Sequence, residues 1–90
     1  MYEWDETKRK VTLSERGIDF ADIALFDWDT AQTILDDRAD YGEMRLVSTG
    51  YIKDRLFVCC WVERQTRVRI ISLRKANDRE IKAYQTRTAH

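Results

Sequence analysis

The chain has 90 residues, 43% hydrophobic and 36% charged, enough for one core and no more. Proline is absent and glycine occurs three times, which excludes a disordered or linker-like chain, and no apolar run approaches the roughly 20 residues that span a bilayer. The formal net charge of zero hides two halves of opposite sign: Arg64 to His90 holds eight bases against two acids, a balance of +6, and residues 1–63 hold eight bases against fourteen acids, −6. This asymmetry points to a polyanion site on one part of the surface and an acidic part that meets a basic partner. With no signal-peptide pattern after Met1, a cytoplasmic single domain over residues 1–90 is expected, with no membrane contact.

Asp5 is placed to cap a first helix from about Glu6 to Arg16, and Gly17 to end it. Asp19 then caps a short second helix through Phe26, with Phe20, Ile23, Ala24 and Phe26 as its apolar side. Ala31–Leu35 reads as a first strand, followed by a polar, acidic loop from Asp36 to Glu43. Three strand-like runs come next, Met44–Ile52, Leu56–Glu63 and Arg67–Arg74, joined by connections short enough only for antiparallel hairpins. Asn77 and Glu80 have the spacing of a capping box, so a final helix runs to about Arg87, packing Ile81 and Tyr84 on the sheet. The fold class is α+β: two N-terminal helices, an antiparallel meander, and a C-terminal helix.

The chemistry-bearing patterns are few. There is no internal histidine for a triad, no phosphate-binding glycine loop and no metal-ligand spacing, so no metal or cofactor is expected. Cys59 and Cys60 are adjacent in a strand, where neighbouring side chains point to opposite faces, so no disulfide joins them. Asp36 and Asp37 read as solvated residues or partner contacts. What stands out is Arg67-Val-Arg-Ile-Ile-Ser-Leu-Arg-Lys-Ala76, an apolar strand carrying Arg67, Arg69, Arg74 and Lys75. Arginine presents a fixed, permanently charged fork of donors to phosphate, so Arg69 and Arg74 lead the candidates for holding RNA and stabilising phosphoryl transfer. Strict alternation puts Arg69 and Arg74 on opposite faces, and they share a site only if Arg74 lies past the strand end or a bulge intervenes. Ser72 can bond a phosphate or serve as a small structural residue. Arg45 and Arg55 can add phosphate contacts, and Trp4, Trp28 and Trp61 can stack on bases or fill the core. The stretch Asp19 to Glu43, with eight acids against Arg38 alone, is expected to form a partner surface.

Tyr2-Glu3-Trp4-Asp5 with Lys8, Gly17 and Phe20, and Arg69-Ile70-Ile71-Ser72-Leu73-Arg74-Lys75-Ala76 with Glu80 and Tyr84, resemble the BrnT family, toxins of bacterial type II toxin-antitoxin pairs similar in fold to the RelE group of ribonucleases. The resemblance implies an RNA-cleaving toxin that arrests growth. It also implies neutralisation by a BrnA-like ribbon-helix-helix antitoxin, which in complex with the toxin contacts operator DNA. Carried onto this chain, it implies Arg69, Ser72 and Arg74 at the catalytic site, with RNA contacts from Lys8, Arg45, Arg55, Arg67 and Lys75. Glu15 and Arg16 stand where the family usually has Lys-His, Thr12 replaces a common asparagine, and Leu73 a common alanine. The expected reaction is attack of a 2′-hydroxyl on the neighbouring phosphate without a metal, Lys8, Glu43 and Tyr84 being open candidates for proton transfer. The alternative is an attenuated RNA- or partner-binding module that acts mainly as a co-repressor.

Overall fold

A computed structural model describes residues 1–37 and 42–88. The elements are β1 (Tyr2–Trp4), α1 (Glu6–Arg16), a 3₁₀ helix (Phe20–Leu25), β2 (Gln32–Asp36), β3 (Arg45–Ile52), β4 (Arg55–Arg64), β5 (Arg67–Lys75) and α2 (Asp78–Thr88). The strands form one five-stranded sheet in the order β1-β5-β4-β3-β2. From β2 to β5 the chain meanders antiparallel, and β1 joins the outside of β5 in parallel, aligning Glu3 with Arg69.

Local chemistry sets the ends of α1. The Asp5 carboxylate accepts from the N–H groups of Thr7 at 2.9 Å and Lys8 at 3.3 Å. Gly17, at φ 67°, closes the helix by donating its N–H to the Leu13 carbonyl at 2.9 Å, a left-handed conformation that costs glycine nothing. None of the α1 residues is buried, so tertiary bonds hold the helix down. Chief among them is the Arg9 guanidinium, which donates to both oxygens of Asp19 at 2.7 and 3.0 Å.

Two expectations are corrected. The second N-terminal helix is a 3₁₀ helix of six residues, so one α-helix, not two, precedes the meander. At three residues per turn Phe20 and Ile23 lie on the same side, and both are 1% exposed; this pair seals the core without a longer helix. The other correction is β1, a strand that the sequence reading did not include. Three residues are too few to show a period, and only pairing with β5 makes them a strand. In addition, β2 ends at Asp36, which therefore belongs to the sheet rather than to the acidic loop and is 7% exposed. Arg38 and Asp40 of that loop lie outside the described residues.

The hairpins are each one residue tighter than expected. Lys53–Asp54 and Gln65–Thr66 connect the strands, with Lys53 and Gln65 at φ 58° and 57°. Positive φ at the first loop position belongs to the primed turns, whose twist matches that of the strands.

One face of the sheet is the core. Ile18, Phe20, Ile23 and Phe26 pack there against Ile52, Cys59, Ile70 and Leu73. Phe26 lies so close over Gly50 that a Cβ there would sit 2.7 Å from its ring. The tryptophans also belong to this side. Trp28 donates its indole N–H to the Tyr2 hydroxyl at 2.6 Å and meets Trp61 edge-on at 5.5 Å, and Trp61 donates to the Ser48 hydroxyl at 2.8 Å. Their rings are structural and do not face a ligand. Part of the opposite face is covered by α2, through Tyr84 packed on Leu56, Val58 and Ala76. Beyond α2 the same face carries Cys60 and Val62 of β4, 8% and 2% exposed.

Candidate active site

The face away from the aromatic core is assembled by an irregularity in β5. Its register against β4 runs Arg74 with Val58 and Ser72 with Cys60, then skips to Ile70 with Trp61 and Arg69 with Val62. Ile71 is therefore an extra residue, a β-bulge, and beyond it the alternation reverses. Val58, Cys60 and Val62 alternate along one face of β4, so Arg69, Ser72 and Arg74 lie on one face of β5. The bulge brings these three residues to one face.

The same register sorts the other candidates. Arg67 pairs with Arg64 and lies on the face of Arg69, its guanidinium 3.8 Å from Glu3. Arg45 is two residues from Val47, which pairs with Cys60, so it too belongs to this face; across β2 it is aligned with Asp36. Reading across the sheet, Glu3, Arg69, Arg45 and Asp36 fall in one row, with Ser72, Cys60, Val47 and Ile34 in the next. Arg69 and Arg45, two strands apart, are separated by about 10 Å of sheet. Lys75 pairs with Phe57 on the core side, and Arg55 is opposite Ile52 with a 3.4 Å contact to the Ala76 carbonyl; neither faces the row of arginines. Lys8 is exposed on α1, and among the described residues its side chain forms no hydrogen bond or ion pair that joins it to this face.

Between β2 and the start of α2 the face sinks into a cleft of about 270 Å³, lined by residues including Ile34, Asp36, Val47, Cys60, Ser72, Arg74 and Glu80. A second hollow of about 180 Å³ continues beneath α2, with Arg87 on its rim. Arg74 is held at the cleft by an ion pair: its two terminal nitrogens donate to the two oxygens of Glu80 at 2.8 and 2.7 Å. The Arg74 guanidinium holds the Glu80 carboxyl below the ordinary carboxylate range; burial opposes this and the Asn77 N–H reinforces it. Glu80 is the cleft residue that sequence reading saw only as a helix cap. The available clue was a capping box starting three residues after a strand-end arginine.

Proton-transfer candidates fare differently. The Tyr84 hydroxyl donates to the Thr30 carbonyl at 2.9 Å and its ring meets Tyr51 edge-on, which makes it a packing residue. Glu43 accepts from Arg64 at 3.1 Å, at the far end of β4. No disulfide joins Cys59 and Cys60. Cys59 is in the core, where burial pushes its thiol up to about 12, with Cys60 adding to the effect. Cys60 lines the cleft. Among the described residues no group of three His, Cys, Asp or Glu is arranged to hold a metal ion, and no helix is long and apolar enough to cross a membrane.

A protein-family model described as the ribonuclease toxin, BrnT, of type II toxin-antitoxin systems matches residues 4–80. A search of curated proteins found no match. The family match runs from β1 through the bulged strand to the carboxylate that grips Arg74, and the chain belongs to the BrnT family of type II toxin-antitoxin ribonuclease toxins.

Proposed function

We propose that this protein is a metal-independent endoribonuclease with a RelE-like fold, acting in the cytoplasm to arrest growth, and that Arg69, Ser72 and Arg74 form its catalytic group. The observation that carries the reading is the common face of these three residues, two of which, Ser72 and Arg74, line a cleft of about 270 Å³. In the reaction, the 2′-oxygen of one ribose attacks the adjacent phosphorus, its proton leaves, and the bond to the 5′-oxygen of the next nucleotide breaks. A 2′,3′-cyclic phosphate and a 5′-hydroxyl result. The nucleophile belongs to the substrate, so alignment and charge stabilisation supply most of the acceleration. Arg69 and Arg74 act as fixed positive charges on the non-bridging oxygens, while the Ser72 hydroxyl donates to one of them. Arg45 and Arg67 receive flanking phosphates. Inducing the protein and mapping RNA ends tests this. Wild type should arrest growth and leave new 5′-hydroxyl ends, Arg74→Ala should do neither, and equal cleavage by both would remove Arg74 from the mechanism.

We also propose a BrnA-like ribbon-helix-helix antitoxin as partner, with operator DNA bound only through the complex. Its docking surface is the acidic region that includes Asp27, Asp29 and Asp37, next to exposed Ile34 and Leu35 of edge strand β2. Reversing the charge at Asp29 and Asp37 should weaken the complex at least about tenfold at low salt and less at high salt. Unchanged affinity across salt would move the surface elsewhere.

The second reading, a co-repressor module without catalysis, draws on Arg16 standing where the family has histidine and on Glu43 and the Tyr84 hydroxyl being engaged by Arg64 and the Thr30 carbonyl. It predicts no new RNA ends from abundant, antitoxin-free protein.

A further inference from the structure

Glu80 performs two tasks with one carboxylate. It closes the first turn of α2: its Oε1 accepts from the Asn77 N–H at 2.9 Å, and the Asn77 side chain accepts in return from the Glu80 N–H at 2.8 Å. It also takes both terminal nitrogens of Arg74, with Oε1 at 2.8 Å and Oε2 at 2.7 Å. The cap needs one oxygen and no charge, and glutamine serves a capping box as well as glutamate does. The second oxygen and the negative charge are therefore surplus to the helix. Their partner is the arginine that lines the cleft with Ser72.

We propose that Glu80 is the positioning residue of the ribonuclease site, fixing the plane and direction of the Arg74 guanidinium so that it meets the scissile phosphate already oriented. This rests on the ribonuclease reading above. The physical case is geometric. An arginine side chain carries about 2 kcal/mol of rotamer entropy, and a bidentate carboxylate removes much of that freedom before substrate arrives. Other described ion pairs on this side of the sheet are looser: Arg67 stands 3.8 Å from Glu3 and Arg64 is 3.1 Å from Glu43. Glu80 is in turn fixed by the backbone of the helix it caps, so the orientation passes from α2 to the arginine through one side chain. The arrangement also carries a cost. A carboxylate beside the phosphate site repels the substrate, so Glu80 weakens ground-state binding while improving alignment for the transition state.

That opposition gives the proposal a signature that loss of folding does not share. Cleavage of a short RNA would be followed with purified wild type, Glu80→Gln, Asn77→Ala, Arg74→Ala and the Glu80→Gln/Arg74→Ala double variant. In Glu80→Gln the cap is kept and the charge is lost. Its kcat should fall about tenfold to a hundredfold, its KM should stay level or fall, and its melting temperature should remain within about 4 °C of wild type. Asn77→Ala damages the cap and leaves the ion pair; it should melt lower and keep its kcat. The double variant should be no slower than Arg74→Ala, since a residue acting through Arg74 has nothing to do without it. A Glu80→Gln enzyme with wild-type kcat would overturn the proposal, as would an Asn77→Ala enzyme slowed equally, or a double variant slowed by the full product of the single effects. Wild-type protein that leaves the RNA intact would overturn the ribonuclease reading and this proposal with it; the other adverse outcomes leave wild-type cleavage in place and remove Glu80 alone.

Discussion

At the scale of single residues, the account rests on carboxylates that each serve a cap and an arginine together. Asp19 caps the 3₁₀ helix through the Ala21 N–H and binds Arg9, and Glu80 caps α2 and binds Arg74. In both, the arginine is the main cause of a carboxyl held below its ordinary value. The sign of the pH effect follows. A carboxyl with a depressed folded-state pKa binds its proton more weakly folded than unfolded, so its stabilisation is present above the unfolded value and is lost as pH falls through the folded one. The Arg74 side chain is 40% exposed and that of Glu80 28%, so solvent screens the pair to about 0.5 kcal/mol. Urea unfolding should therefore find Glu80→Gln less stable than wild type by about that amount near neutrality, with the difference closing as pH falls below the ordinary carboxylate range. A gap of constant size would contradict the ion pair as its source. Much at this scale was legible in the sequence. Asp5, Gly17, Asp19, Asn77 and Glu80 were all read as caps or stops because those interactions span only a few residues. The grip of Glu80 on Arg74 was not, since it depends on how a strand end packs against the helix after it.

At the scale of elements, the decisive feature is the bulge at Ile71. Alternation correctly separated Arg69 from Arg74 for a regular strand, and it named a bulge as one way to reunite them. Nothing local announces the bulge. Its extra residue is a β-branched isoleucine instead of the glycine that often marks one, and only the partner strand β4, with Cys60 opposite Ser72 and Trp61 opposite Ile70, defines it. The same reason hid β1, whose three residues become a strand only by pairing with β5. The meander itself was legible, because β-rich runs separated by two or three residues leave no room for anything but hairpins. The one-residue shift of β2 mattered more than its size suggests, since it moved Asp36 from a loop into the row of Arg45 and Arg69.

At the scale of the whole molecule, the sheet puts its aromatic core and the row of arginines on opposite faces. One face holds the aromatic core under the 3₁₀ helix, and the other carries Arg45, Arg67, Arg69, Ser72 and Arg74 beside the cleft. The charge asymmetry visible in the sequence thus resolves unevenly. Part of the basic half, joined by Arg45 from the other half, forms one face, while Lys75 lies away from it. This division is the central claim, and single-turnover cleavage of one RNA by Arg69→Ala and Lys75→Ala tests it most directly. Each variant removes one cation from β5, six residues apart, so net charge falls equally and only the face differs. The bulged strand predicts that Arg69→Ala slows cleavage about a hundredfold and Lys75→Ala no more than about twofold. Equal losses from the two would show that charge alone matters, and would contradict the assignment of the site to one face.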